Sequence, residues 1–147
     1  MSLYSPGITN LSTKTLTFTG AAGLGAIGNC TLFTITGKIH VVAIDATVKT
    51  TVGVDGGTGA ASLSLGVTGS TVLFSAAVVA TTLTTTAALW YTTATAGGIA
   101  LPAAYKDISV MADIVAAVTS SGTQKVTSGA LEVTLLWVPI SSTGAVS

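Results

Sequence analysis

Charge is scarce in this 147-residue chain: 7% of its residues are Asp, Glu, Lys or Arg, against roughly 25% in an ordinary soluble domain. Arginine is absent, and five lysines against five acids bring the formal net charge to zero. A nucleic-acid partner is therefore not expected, because counterion release by a basic surface has nothing to draw on. A single cysteine, Cys30, excludes an intrachain disulfide and a cysteine-built metal cluster. Its neighbours Leu32, Phe33 and Ile35 point to a buried thiol. A single histidine, His40, leaves any imidazole acid–base chemistry to that residue alone. Long apolar runs are missing too. The nearest, Val72 to Tyr91, is broken by Ser75, Thr81, Thr82 and Thr84–Thr86, short of the ~18 continuous apolar residues that a membrane helix needs. The opening MSLYSPGITN has neither a basic segment nor an apolar core, so no secretory signal and no membrane association are expected.

What is abundant is small. Ala, Gly, Ser and Thr account for 80 of the 147 residues. Leu, Ile, Val and Phe still supply 42, enough for a core in one domain of this length. Thr and Val, stiff at χ1 and at home in strands, together number 43. Lys14–Thr19 alternates apolar and polar with period two, and Thr31–Thr36 repeats the pattern. Gly37-Lys38 reads as a tight turn into a third strand, Ile39–Val48. Asp55-Gly56-Gly57-Thr58-Gly59 is a strong turn signal, since these residues reach positive φ cheaply. Ser62–Val67, Thr71–Ala76, Asp107–Val118 and Ala130–Val138 read as further strands, separated at Gly69-Ser70, Gly97-Gly98 and Ser120-Ser121-Gly122. Val78–Leu89 fits a strand, a loop or a short helix. The expectation is one all-β domain over residues 1–147, a β-sandwich or jelly roll of about eight antiparallel strands. Residues 1–10 and 141–147 are read as extended or frayed termini. A stacked solenoid would need a fixed repeat, and none is visible.

Several segments imitate functional motifs. Gly23-Leu24-Gly25-Ala26-Ile27-Gly28 spells a dinucleotide fingerprint, and Asp45 follows Gly25 by 20 residues. That chemistry needs a helix to open after the glycines, so that its N-terminus can hold the pyrophosphate. The continuation Asn29–Ile35 has a strand pattern, so the glycines are read as a flexible inter-strand loop and no cofactor is expected. The alternation of Ile39-His40-Val41-Val42 places His40 opposite Ile39 and Val41, on one face with Val42 and Ile44. Asp45, Asp55, Asp107, Asp113 and Glu132 are scattered singly, so nothing in the sequence favours a carboxylate dyad. No G-x-S-x-G elbow and no calcium loop occurs. Catalytic, cofactor-binding and metal-binding residues are accordingly read as none, and an enzyme is the least favoured class. Thr15-Leu16-Thr17, Thr17-Phe18-Thr19 and Thr34-Ile35-Thr36 are too irregularly spaced for a water-ordering ladder. Trp137, among Leu135, Leu136 and Val138, is read as core. Trp90-Tyr91 is the candidate intersubunit contact, since neighbours on a strand face opposite ways and exposed aromatics favour interfaces.

A neutral, charge-poor surface of short side chains opposes association weakly and loses little rotamer freedom on burial. It suits a protein packed against copies of itself or a larger lattice. Three stretches also carry a resemblance: Thr17–Gly23 leading into Thr31–Gly37, then Ala61–Val67, then Leu136–Gly144. In these the chain resembles small structural proteins of tailed bacteriophages. The resemblance implies a virion component, foremost a capsid decoration or cement protein, with the major capsid protein or another virion protein as partner. It also implies a homo-oligomer, with a trimer favoured, made in the host cytoplasm and placed on the capsid surface. A tail, neck or head-fibre component stays open as the alternative. A carbohydrate-binding sandwich is a weaker one, because Asn10, Asn29 and Gln124 are the only side-chain amides.

Overall fold

In the computed structural model, residues 8–84 and 108–147 are described. Ten strands follow one another: β1 (Asn10–Thr17), β2 (Gly28–Phe33), β3 (Ile35–Thr36), β4 (Ile39–Val54), β5 (Ala61–Val67), β6 (Ser70–Val79), β7 (Ile108–Val110), β8 (Ile114–Ser120), β9 (Val126–Pro139) and β10 (Ala145–Val146). A 3-10 turn, Ala80–Thr82, follows β6. Eight of the strands make two four-stranded sheets, ordered β1-β9-β4-β7 and β2-β8-β5-β6. Every pairing is antiparallel. Apart from the β5–β6 hairpin, each connection among those eight strands passes from one sheet to the other. That is the jelly-roll form of the sandwich. The fold expected from the sequence is therefore the one observed, with β3 and β10 forming an additional two-stranded ribbon.

The core lies between the sheets. Ile39, Val41, Leu131 and Leu135 enter it from the first sheet, and Leu63, Leu65, Phe74 and Ile114 from the second, all at 1% exposure or less. Burying each such side chain contributes about 1.5–3 kcal/mol. Period-two alternation is clean along β9, where Leu131, Val133, Leu135 and Trp137 are buried in turn. In β8 it is lost: Ile114 through Val118 are buried without a break, so both faces of that central strand are covered.

Strand β4 changes phase. Val41 is opposite Trp137 and Ala43 is opposite Leu136, which leaves Val42 as an extra residue. Ile39 and Val41 are buried before the bulge, then Ile44, Ala46 and Val48 after it. Ile44 thus lies on the core face with Ile39, and not on the His40 face that uninterrupted alternation predicts. Two further differences are local. The expected strand Asp107–Val118 is divided into β7 and β8 by Met111-Ala112-Asp113. Of the ambiguous stretch Val78–Leu89, Val78 and Val79 end β6, the 3-10 turn follows, and 85–89 lie outside the described residues.

The two ends of the sandwich are tied differently. At one end, the β4–β5 and β8–β9 loops are joined backbone to backbone, Asp55 N–H to the Lys125 carbonyl at 3.1 Å and Thr123 N–H to the Thr58 carbonyl at 2.8 Å. The Asp55 carboxylate accepts from Gly57 N–H at 3.1 Å and Lys125 N–H at 3.0 Å. At the other end, Asp113 accepts from Ile35 N–H at 2.9 Å through its carboxylate, while its carbonyl accepts from Thr68 N–H at 2.9 Å. The C-terminal residues turn over Ser141–Gly144 and are then held there by β10 pairing with β3.

Candidate interaction surface

The glycine-rich segment between β1 and β2 is an ordered crossover. Thr19 N–H and Gly20 N–H both donate to the Leu24 carbonyl, at 2.8 and 3.0 Å, and Val126 N–H donates to the Gly25 carbonyl at 3.0 Å. Gly25 adopts φ +114, and a Cβ there would meet the Val126 carbonyl oxygen. Gly20 and Gly25 serve close approach to Thr127 and Val126 of β9, while Gly23 and Gly28 face open space. Strand β2 begins at Gly28 itself, so no helix N-terminus stands where a pyrophosphate would need one.

The single-copy residues sit apart. Cys30 is fully buried, and burial pushes its thiol above the usual range against a lowering hydrogen bond from the Gly25 backbone. This is the opposite of what an activated cysteine requires. His40 is half-buried on the outer face of the first sheet, with Nδ1 3.4 Å from Ser109 Oγ. Trp137 is buried, as expected, and its indole N–H donates to Ser12 Oγ at 3.0 Å. Trp90, Tyr91 and Asp107 lie outside the described residues.

Two acids that look isolated in sequence share one face. Asp45 is paired with Thr134, and Thr47 with Glu132, which puts the two carboxylates in neighbouring rows. Burial raises the Asp45 carboxyl above its ordinary range; a hydrogen bond from the Thr134 backbone works against the rise, and the Glu132 charge adds to it. Glu132 in turn pairs with Lys49 at 3.0 Å, on half-exposed side chains. No signal in the sequence links Asp45 to Glu132, because only the β4–β9 register joins them. Among the described residues no three metal-ligating side chains converge, and no helix is long and apolar enough to cross a membrane.

What the molecule offers instead is surface. Rows across β1, β9 and β4 read Thr13–Thr134–Asp45, Thr15–Glu132–Thr47 and Thr17–Ala130–Thr50, with Leu11–Leu136–Ala43 at one end. Among the described residues, four of the eight exposed large apolar side chains lie at that same end: Leu11, Ile8 just before β1, Met111 just after β7, and Ile140 just after β9; Leu24 and Ile27 lie between β1 and β2, and Val72 and Val79 on β6. The sheet edges are blunted. β7 has three residues and β2 has six with a bulge. β6 departs from regular register with β5 twice. On β1, Lys14 lies opposite the buried Val133, a charge on the inward-facing row of an edge strand. Strand-to-strand addition is thereby discouraged, and contact is left to faces and ends. A scan against protein-family models found no match, and searches of curated proteins and of solved structures found none either.

Proposed function

We propose that the protein is a virion structural component: a capsid decoration, or cement, protein that binds the assembled head and stabilises it through subunit contacts. The observation that carries this reading is the surface. A jelly roll with blunted edges presents rows of Thr, Ala and Leu, few charges, and exposed Ile8, Leu11, Met111 and Ile140 at one end. Short side chains lose little entropy when covered, and apolar side chains grouped on a surface mark contact sites. The architecture is compatible, since jelly rolls recur in viral capsids, but fold alone does not carry function. Among the described residues, Cys30, His40 and the carboxylates stand apart from one another or on an open face, a poor arrangement for chemistry.

In this role the partner is the major capsid protein, met where several subunits join. A symmetric homo-oligomer, a trimer in the favoured form, raises avidity without strong individual contacts. The test is native mass by light scattering, with and without expanded capsids. A discrete trimer that adds to capsids saturably and in fixed stoichiometry supports the proposal. A monomer that ignores capsids overturns it and moves attention to a tail, neck or head-fibre role.

A further inference from the structure

The C-terminal ribbon is built unlike the rest of the molecule. β10 has β3 as its strand partner and belongs to neither four-stranded sheet. Its hold is main-chain pairing: Ala145 opposite Thr36, Val146 opposite Ile35, and a reciprocal pair in which Thr34 N–H donates to the Ser147 carbonyl at 2.8 Å and Ser147 N–H to the Thr34 carbonyl at 3.1 Å. Ala145 and Ser147 are exposed, and Val146 is the residue of the ribbon's C-terminal strand that packs on the core.

The receiving strand is prepared from behind. In an antiparallel pair, bonded and non-bonded positions alternate, so Thr34 and Thr36 face β10 while Ile35 N–H points the other way. There it meets the Asp113 carboxylate at 2.9 Å. Asp113 is itself tied to the β5–β6 turn through Thr68. With its back edge satisfied and Ile35 buried at 8% exposure, β3 is a fixed slot for one extended segment. The segment that fills it, Ser141-Ser142-Thr143-Gly144-Ala145-Val146-Ser147, is uncharged and small, and it leaves β9 through a turn closed by Gly144 N–H on the Ser141 carbonyl at 2.9 Å.

We propose that the β3 slot is a strand-receiving site for a second copy of this chain, so that copies are linked by exchanging residues 141–147. The bonds made are the same whichever copy supplies the segment, so the exchange changes little in bond energy and is driven by local concentration. The main sheets do not compete, because their edges are blunted. The proposal rests on the reading that the protein functions in an assembly, and it names the contact within it.

The test uses the full chain carrying Thr36→Cys and Ala145→Cys. Directly opposite strand residues lie about 5.5 Å apart at a hydrogen-bonded pair, within disulfide range, and the buried Cys30 does not compete. Oxidation of dilute protein is expected to give intrachain crosslinks. Oxidation at concentrations where native mass shows assembly is expected to give a ladder of covalently joined copies that reduction collapses. Intrachain crosslinks alone in an assembled sample overturn the exchange while leaving assembly itself intact. A ladder from a protein that ignores capsids upholds the exchange and removes the cement role. As a second measurement, a chain ending at Ile140 that keeps its cooperative melt is expected to bind the synthetic peptide SSTGAVS saturably. A folded truncated chain that does not bind it also overturns the proposal, and if truncation unfolds the chain the crosslink decides alone.

Discussion

The two ends of the sandwich solve one problem with different materials. Around Asp55 and Gly25, loops meet backbone to backbone, and glycines let the chains approach: a Cβ on Gly57 would meet Gln124, and one on Gly122 would meet Thr58. Around Asp113, the backbone joins Thr68 N–H to the Asp113 carbonyl, and the carboxylate adds a link to the Ile35 N–H of the buried β3. Both ends carry a bridging carboxylate, but Asp55 serves amides of the two loops it joins, beside glycines in close approach, while Asp113 serves an amide of the buried strand β3. Tolerance to substitution should follow that division.

The largest effect is expected at the glycine end. Gly25→Ala combines a left-handed φ with a collision at the Val126 carbonyl and should cost roughly 2–4 kcal/mol. Denaturant melts check this, with Gly69→Ala as the contrast, because its φ of +93 opens onto empty space and only the conformational cost of about 1–2 kcal/mol applies. Equal losses at the two sites would remove close approach from the explanation. Next comes Asp113→Ala, which leaves the buried Ile35 N–H without its partner and should cost roughly 1–3 kcal/mol. Asp113→Asn keeps an acceptor and should recover most of that loss.

Acid acts on the Asp55 end. Hydrogen bonds from the Lys125 and Gly57 backbones hold the Asp55 carboxyl below its ordinary range. Its contribution is present above the unfolded-state value and is lost as pH falls through the folded one. Amide protection in the 55–60 and 121–125 loops, relative to intrinsic exchange at the same pH, should therefore fall below about pH 4, and Asp55→Asn should flatten that dependence. Asp45 on the sheet face runs the other way. Its folded carboxyl lies above the ordinary range, so its charge weakens the fold as pH rises through that interval, and Asp45→Asn should be neutral or mildly stabilising at pH 7. The smallest effect belongs to Lys49→Ala. Its ion pair with Glu132 is half-exposed and should be worth at most about 0.5 kcal/mol, less in high salt.

The same division marks what could be read from the sequence. Turn chemistry is local, so Asp55-Gly56-Gly57 and Gly37-Lys38 were legible, as were strands that alternate, such as Lys14–Thr19 and Ala130–Val138. Asp113 was not: it looks like one polar residue inside a strand from Asp107 to Val118, and its role depends on Ile35, brought near only by the jelly-roll crossover. Asp45 and Glu132 were illegible for the same reason. The fingerprint-like glycines were legible as an inter-strand segment, yet the close approach of Gly25 to β9 needed the fold to be seen. Trp90 and Tyr91, the aromatic pair singled out for subunit contact, lie outside the described residues.

The extra residue at Val42 has a consequence for how this chain can change. It works like a half-step in a two-beat rhythm: upstream of it odd positions face the core, downstream even ones do. Removing Val42 would leave length, charge and mean hydropathy almost untouched. It would also join the two halves in one phase: Val41 opposite Trp137 and Ala43 opposite Leu136 would become consecutive pairs, with Ile44 and Ala46 still facing the core. The extra residue is thus one that the chain can lose without turning any core side chain of β4 toward water.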